Sequence, residues 1–231
     1  MAMAQALPEV YELAQALERL PGPRGASASD DGGEHVRAVL AGFHCRLEAL
    51  RRSLNRLPRA AFDSMLVNSR ETPTHFKWNL YRGPRSGLTL WLHEYKPPDL
   101  VDAAYVEAPH NHRYGFTSLI LTGGYLHTRF LVDPVGQDRA RVTDVRPEFL
   151  APGATYTLTP DDWHNVTRAR EGTVTLIAQE RPTRAYSTSL STSPDAPLGT
   201  RTGTLRYHYP VEARWRTLRS VLGRPHERKS Q

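Results

Sequence analysis

Cysteine and long apolar runs are scarce in this sequence. Among its 231 residues Cys45 is the single cysteine, so no disulfide can form within the chain. That usage is typical of a reducing compartment, and we predict a cytoplasmic protein. The sequence has no apolar run long enough for a transmembrane helix, and its first residues lack the basic and apolar segments of a secretory signal. We therefore expect no membrane partner.

Lysine is also scarce, although the chain is basic. Lys77, Lys96 and Lys229 are the only lysines, while 30 Lys and Arg against 24 Asp and Glu give a net charge of +6. A basic balance can indicate nucleic acid or an acidic substrate as partner. The one dense basic stretch is at 224–229, and no nucleic-acid-binding motif accompanies it. We expect arginines dispersed over the surface and no nucleic-acid partner.

The N-terminal part of the chain has helical periodicity. Residues 7–20 have apolar positions three and four apart, which predicts an amphipathic helix, and residues 21–33 have the composition of a loop. Residues 34–57 carry a longer apolar stripe that predicts one helix. We expect this stripe to pack on the outside of a barrel; a coiled-coil dimer seam is the alternative.

From residue 74 onward the pattern changes to short β-type runs separated by Gly, Pro and Asp turns. Many such strands favour a sandwich or barrel over a nucleotide-binding parallel sheet. The predicted strands are 75–81, 88–95, 103–107, 116–121, 125–132, 141–149, 155–159 and 173–179, with a last strand near 204–207 and a final helix at 211–222. We therefore divide the chain into an N-terminal helical extension (1–73), a barrel (74–190) and a C-terminal strand and helix (191–231).

Three histidines form the strongest candidate for a site. His110 and His112 are two residues apart, so on a strand they would point to the same face. His164, about fifty residues later, is the best third candidate. Neutral imidazole is the commonest protein metal ligand. The pattern predicts a three-histidine metal site, with His127 beside it as a residue that orients a ligand imidazole.

These segments resemble the two motifs of the cupin superfamily. The first motif reads His110, His112, Thr117 at the place of the family's glutamate, and Gly124; the second reads Gly153, Pro160 and His164. The resemblance covers about residues 75–190. It implies a mainly β fold, the cupin-type double-stranded β-helix or jelly-roll barrel, here with N-terminal helices. Without the glutamate, the site is similar to that of the cysteine/thiol dioxygenase-like cupins.

The same resemblance suggests which residues act on the substrate. The family's carboxylate-binding arginine falls near Arg82, with Lys77 as a second choice, and its Ser-His-Tyr relay is missing from the matching strand, where Gln179 stands at the last position. Cysteine is thus a poor candidate as substrate. We predict that Arg82, Gln179 and Tyr186 contact another small anionic or amino-acid-like molecule.

Three histidines with no carboxylate leave the charge of a divalent ion uncompensated and several coordination positions open. That suits an anionic substrate and O2 on Fe(II), and we predict a non-heme iron oxygenase. Zinc or nickel would instead favour a redox-neutral isomerase, lyase or hydrolase, and a non-catalytic ligand-binding cupin is a third hypothesis. An edge strand or the apolar stripe offers a surface for a homodimer.

Overall fold

Helices occupy the first part of the chain and strands the remainder. A computed structural model describes residues 5–20, 30–97, 100–101, 107–134, 140–190 and 199–201. The helices are α1 (Pro8–Arg19), α2 (Asp30–Phe43), α3 (Leu47–Asn55) and α4 (Arg59–Asn68), with a 3-10 turn at His44–Arg46. The strands are β1 (Arg70–Glu71), β2 (His75–Arg82), β3 (Thr89–Tyr95), β4 (Phe116–Thr122), β5 (Tyr125–Pro134), β6 (Ala140–Leu150), β7 (Thr155–Leu158), β8 (Trp163–Thr167), β9 (Val174–Gln179), β10 (Ser187–Ser189) and β11 (Gly199–Arg201).

The strands pair antiparallel across long sequence separations. One sheet has the order β1-β2-β3-β9-β4-β7, a second has the order β6-β5-β8, and β10 pairs with β11. Strand β9 thus lies between β3 and β4, while β8 returns to lie beside β5. This interleaving of early and late strands is the Greek-key arrangement of a jelly roll. The predicted fold class, mainly β with antiparallel sheets of the jelly-roll type and N-terminal helices, is confirmed.

The helices pack on one face of the six-stranded sheet. The apolar stripe of α2 and α3 is buried there, with Leu40 and Leu50 fully inaccessible, and its partners include Leu92, Leu119 and Leu176 from the strands. Because helices cover this face, β3 and β4 are buried on both sides. The expectation that the stripe docks on the outside of the sheet is confirmed. No described helix is long and apolar enough to span a membrane.

The helix boundaries differ from the prediction in two places. The single helix expected at 34–57 is wrong: the chain tightens into the 3-10 turn, where the Cys45 thiol donates to the carbonyl of Gly42 at 2.8 Å. The helix also begins at Asp30 rather than after the expected loop at 21–33. Helix α4 was not predicted, because its buried residues Ala61, Phe62 and Met65 are too few to form a clear stripe.

Several expectations are not addressed by these elements. The loop at 21–29, most of the strand at 103–107, the strand near 204–207 and the helix at 211–222 lie outside the described residues. The three-part division at 73 and 190 stays a prediction.

Candidate metal centre

The backbone brings two of the predicted ligands together. His110 forms an isolated antiparallel bridge with His164 of β8, and each donates its backbone N–H to the other's carbonyl at 2.9 Å. On its other side His110 bridges Ser189 of β10. The segment around His110 therefore links β8 to β10. Only His110 pairs in this way, and His112 lies outside the strands.

The three imidazoles converge as the spacing predicted. One ring nitrogen from each of His110, His112 and His164 lies within 4.8 Å of the others. The Nε2 atoms of His112 and His164 are 2.8 Å apart. Two imidazole nitrogens at this distance can both present lone pairs to each other only if a cation or proton lies between them. The arrangement fits a metal ion, whose ligand nitrogens at about 2.0–2.1 Å come within a few ångströms of one another.

The hydrogen bonds made by Nδ1 of His110 and of His164 determine which nitrogen of each of these two rings is free to bind a metal. His110 Nδ1 donates to the carbonyl of Ala108 at 3.0 Å, which leaves Nε2 as the ligand atom. His164 Nδ1 lies 3.1 Å from Nε2 of the buried His127, whose ring stacks on Tyr156. With the proton on His164 Nδ1, the Nε2 atom of His164 is a lone-pair donor. His127 thus orients His164 and is not itself in the three-imidazole group.

Burial favours the neutral form of three of these four histidines, His112, His127 and His164. It lowers the pKa of His164 and of His112 well below the usual histidine value, and the neighbouring His110 acts in the same direction on both. Burial, with a smaller effect of Arg129, lowers the pKa of His127 to about 4. Neutral imidazole is the form that ligates metal, so His112 and His164 do not have to lose a proton at neutral pH before binding.

The residue in the place assigned to the cupin glutamate must be corrected. Thr117 is on the face of β4 away from the imidazoles, where its hydroxyl is 2.9 Å from that of Thr157. Phe116, one residue earlier, is the side chain that faces them: its ring centroid is 5.0 Å from that of His112 and 5.9 Å from that of His164. An apolar ring therefore stands beside the cluster, and no carboxylate joins it among the described residues.

A cavity of about 540 Å³ opens beside His112 and gathers the predicted substrate-contacting residues. Arg82, Gln179 and Tyr186 all line it, although they come from the end of β2, the end of β9 and the chain before β10. Gln179 is held in place because its Oε1 accepts a hydrogen bond from the indole of Trp91 at 3.1 Å. The structure thus places these three residues in one cavity with a candidate ligand, and their roles there stay predictions.

His93 and Glu94 are adjacent residues of β3, and the sequence pattern does not decide which of their side chains faces the imidazoles. Glu94 faces the helices, where its carboxylate accepts from the indole of Trp78 at 3.0 Å. His93 therefore points to the other face, and its ring stacks on His75 at 4.4 Å between centroids. Because β3 is buried on both faces, polarity did not distinguish them. The alternation from Trp91, a cavity-lining residue on the same strand, is the signal that assigns His93.

Comparison with known proteins finds solved structures of low similarity to this chain. No protein-family model and no curated protein matches the chain. Among solved structures, oxalate decarboxylase from Bacillus subtilis at pH 4.6 is 13% identical, with a TM-score of 0.39, over 56% of this chain and 31% of that one. A single-residue variant of that enzyme gives 13% identity and a TM-score of 0.38 over 53% of this chain and 30% of that one. The chain spans about a third of the length of these structures.

Removing the ring that supports His164 should weaken metal binding without removing a ligand. For His127→Leu we expect metal affinity to fall about 10–100-fold, the usual effect of losing the partner of a ligand imidazole. His127→Gln, whose amide oxygen can still accept from His164 Nδ1, should lose less. Competition of each variant with a chromophoric chelator measures the affinity. Equal losses in the two variants would contradict an orienting role for His127.

Proposed function

We propose that the chain is a metal-dependent cupin that binds Fe(II) through His110, His112 and His164 and oxidises a small anionic substrate with O2. The observation that carries the proposal is the convergence of three imidazoles, unaccompanied by a carboxylate among the described residues. Burial lowers the pKa of two of them, His112 and His164, and so favours their neutral, metal-binding form. A divalent ion held in this way keeps its full charge and has room for further ligands. Those are the conditions for an anion and a diatomic gas to bind side by side.

The residues around the cluster support this chemistry. A bound ferrous ion would supply the one-electron reactivity toward O2 that side chains lack. Phe116 limits the access of water on one side of the imidazoles, and the cavity beside His112 gives the substrate its approach. Arg82, at the end of β2, can pair with a substrate carboxylate in two parallel hydrogen bonds. Gln179, fixed by Trp91, can donate its amide N–H to the same molecule.

Two further features remain parts of the proposal. A cytoplasmic location follows from cysteine usage alone, and a homodimer would require an edge strand such as β6 to pair with a second copy. The substrate and O2 are the proposed partners.

The decisive test is metal analysis followed by a probe of open coordination. Protein purified without chelators and then reconstituted anaerobically should hold about one ferrous ion per chain. Addition of nitric oxide should give the electron paramagnetic resonance signal of a high-spin ferrous nitrosyl, because open positions are predicted. Zinc or nickel that ferrous ion cannot displace would contradict the iron proposal and favour the redox-neutral alternative. Protein that takes up none of these metals would contradict the metal site itself.

A further inference from the structure

The cavity beside His112 has a lining of one charge sign. Its cationic side chains are Arg70, Lys77, Arg82, Arg113 and Arg181, and no aspartate or glutamate is among the described residues that line it. These residues come from four separate stretches of chain, so the clustering is a product of the fold and is invisible in sequence order. The overall charge of +6 spread over 231 residues predicts dispersion, whereas here five cations meet around one space.

Three cations of this cavity, Lys77, Arg82 and Arg113, differ from a nearby lysine that is neutralised by a carboxylate. Lys96 pairs with Glu71 at 2.6 Å, and both side chains are largely buried. Lys77, on the same sheet, instead places its ammonium 5.0 Å from the ring centroid of Trp91. Within the described part of the chain, neither Arg82 nor Arg113 forms a salt bridge.

Two acidic side chains near this region, Glu18 and Glu180, are not among the described lining residues. Glu18 accepts hydrogen bonds from the hydroxyls of Ser86 and Tyr81 and lies against Gly83, which lines the cavity. Glu180 lies against Gly115 and is absent from the lining. Like charges that converge on a cleft raise the local concentration of anions and repel one another when the cleft is empty. An anionic group inside the cavity would relieve this repulsion.

The size of the cavity decides how many anionic groups it can take. About 540 Å³ is within the range that holds drug-sized ligands, and it exceeds what an acid of two or three carbons would fill. Aromatic side chains, Trp91, Tyr114 and Tyr186, stand among the cations along its wall. A substrate that fills this space can carry one charge near the imidazoles, an apolar middle against the aromatic rings, and a second charge at the arginines.

We propose that the substrate is an extended dianion with two separated carboxylate or phosphate groups, of which one binds at the three-histidine cluster and the other between Arg82 and Arg113. The first half of this statement rests on the proposed function, because it needs a metal ion to receive the anion. The second half rests on the arginines alone. Arginine suits this role because its planar fork matches the oxygens of both carboxylate and phosphate.

Matched pairs of probes test the second charge. Isothermal titration of the metal-loaded protein would compare adipate with hexanoate, and 3-phosphoglycerate with glycerate, at low ionic strength. We expect the dianion of at least one pair to bind about tenfold or more tightly, as an added charge-assisted contact should give. The adipate pair reports a preference for a second carboxylate and the phosphoglycerate pair a preference for phosphate. Equal affinities within both pairs would overturn the proposal.

Variants assign the preference to the arginines. Arg82→Gln combined with Arg113→Gln should remove the preference for the dianion, so that each dianion and its matched monoanion bind with similar affinity. Arg146→Gln, an exposed arginine on β6 that is 68% accessible and pairs with Asp144, is the matched control and should keep the preference. A preference that survives the double substitution would overturn the assignment.

The metal-free protein separates this inference from the proposed function. Loss of most adipate affinity on removing the metal, with the arginine dependence retained, supports both ends of the placement. Undiminished dianion affinity without metal would overturn the metal-bound end. Failure to bind any metal would contradict the proposed function, while the effect of the arginine variants would still be measurable in the same titration.

Discussion

Replacing His164 by alanine is expected to lower metal affinity more than the 10–100-fold effect of losing an outer partner, and to leave less than one tenth of the chains loaded at stoichiometric metal. The substitution removes one of three ligand atoms and also separates His127 from the cluster. The fold should survive, since the hydrogen bonds between His164 and His110 are made by the backbone. Elemental analysis together with circular dichroism measures both quantities.

An exposed histidine provides the comparison for that variant. His35 is on helix α2, outside the three-imidazole group, so His35→Ala should keep the metal content of the parent chain. Any oxygen uptake that the parent shows should fall with metal content in His164→Ala and stay unchanged in His35→Ala. Unaltered stoichiometry in His164→Ala would refute the site assignment.

Gly123→Ala, in the turn between β4 and β5, is expected to be strongly destabilising. Gly123 has φ of +72°, and a Cβ there would lie 2.7 Å from the Cα and 2.9 Å from the backbone nitrogen of Thr173. The left-handed conformation costs about 1–2 kcal/mol for a residue with a Cβ, and forced overpacking adds about 1–3 kcal/mol. We expect a loss of about 2–5 kcal/mol in unfolding free energy, measured by urea denaturation.

Gly153→Ala separates the two causes of that loss. Gly153 also has a positive φ, +88°, but a Cβ at this position would meet nothing within 4 Å. Its substitution should therefore show the conformational cost alone, about 1–2 kcal/mol. A loss in Gly123→Ala no larger than in Gly153→Ala would mean that the contact with Thr173 relaxes freely.

The sequence was sufficient to predict the three-histidine cluster because its pattern is local and chemically distinctive. Two histidines two residues apart need little tertiary information to meet at one point, and the glycines after them mark the end of β4. The third, His164, was found by its resemblance to a second motif. What could not be read was the strand that carries it: β8 is five residues long and follows a Pro-Asp-Asp turn, so it lacks an alternation long enough to recognise.

The error at Thr117 has a different physical origin. Both Phe116 and Thr117 are buried. Helices cover the face of β4 that carries Thr117, and the opposite face, which carries Phe116, packs towards the imidazoles. The sequence of a strand that is buried on both faces is a continuous apolar run, so polarity does not distinguish the two faces. The same reason left His93 and Glu94 unassigned. The cationic lining of the cavity was missed because it assembles residues far apart in the chain.

The bridge between His110 and His164 couples the affinity for a metal ion to the stability of the backbone pairing at this junction. His110 and His164 offer ring nitrogens to the cluster. Their backbone amides and carbonyls also join β8 to the segment around His110, which in turn bridges β10. Opening this junction pulls two ligands apart, so a bound ion opposes the opening by a free energy set by its concentration relative to Kd, about 2.7 kcal/mol at a hundredfold excess. Local opening of the backbone pairing at this junction would therefore be accompanied by release of the ion.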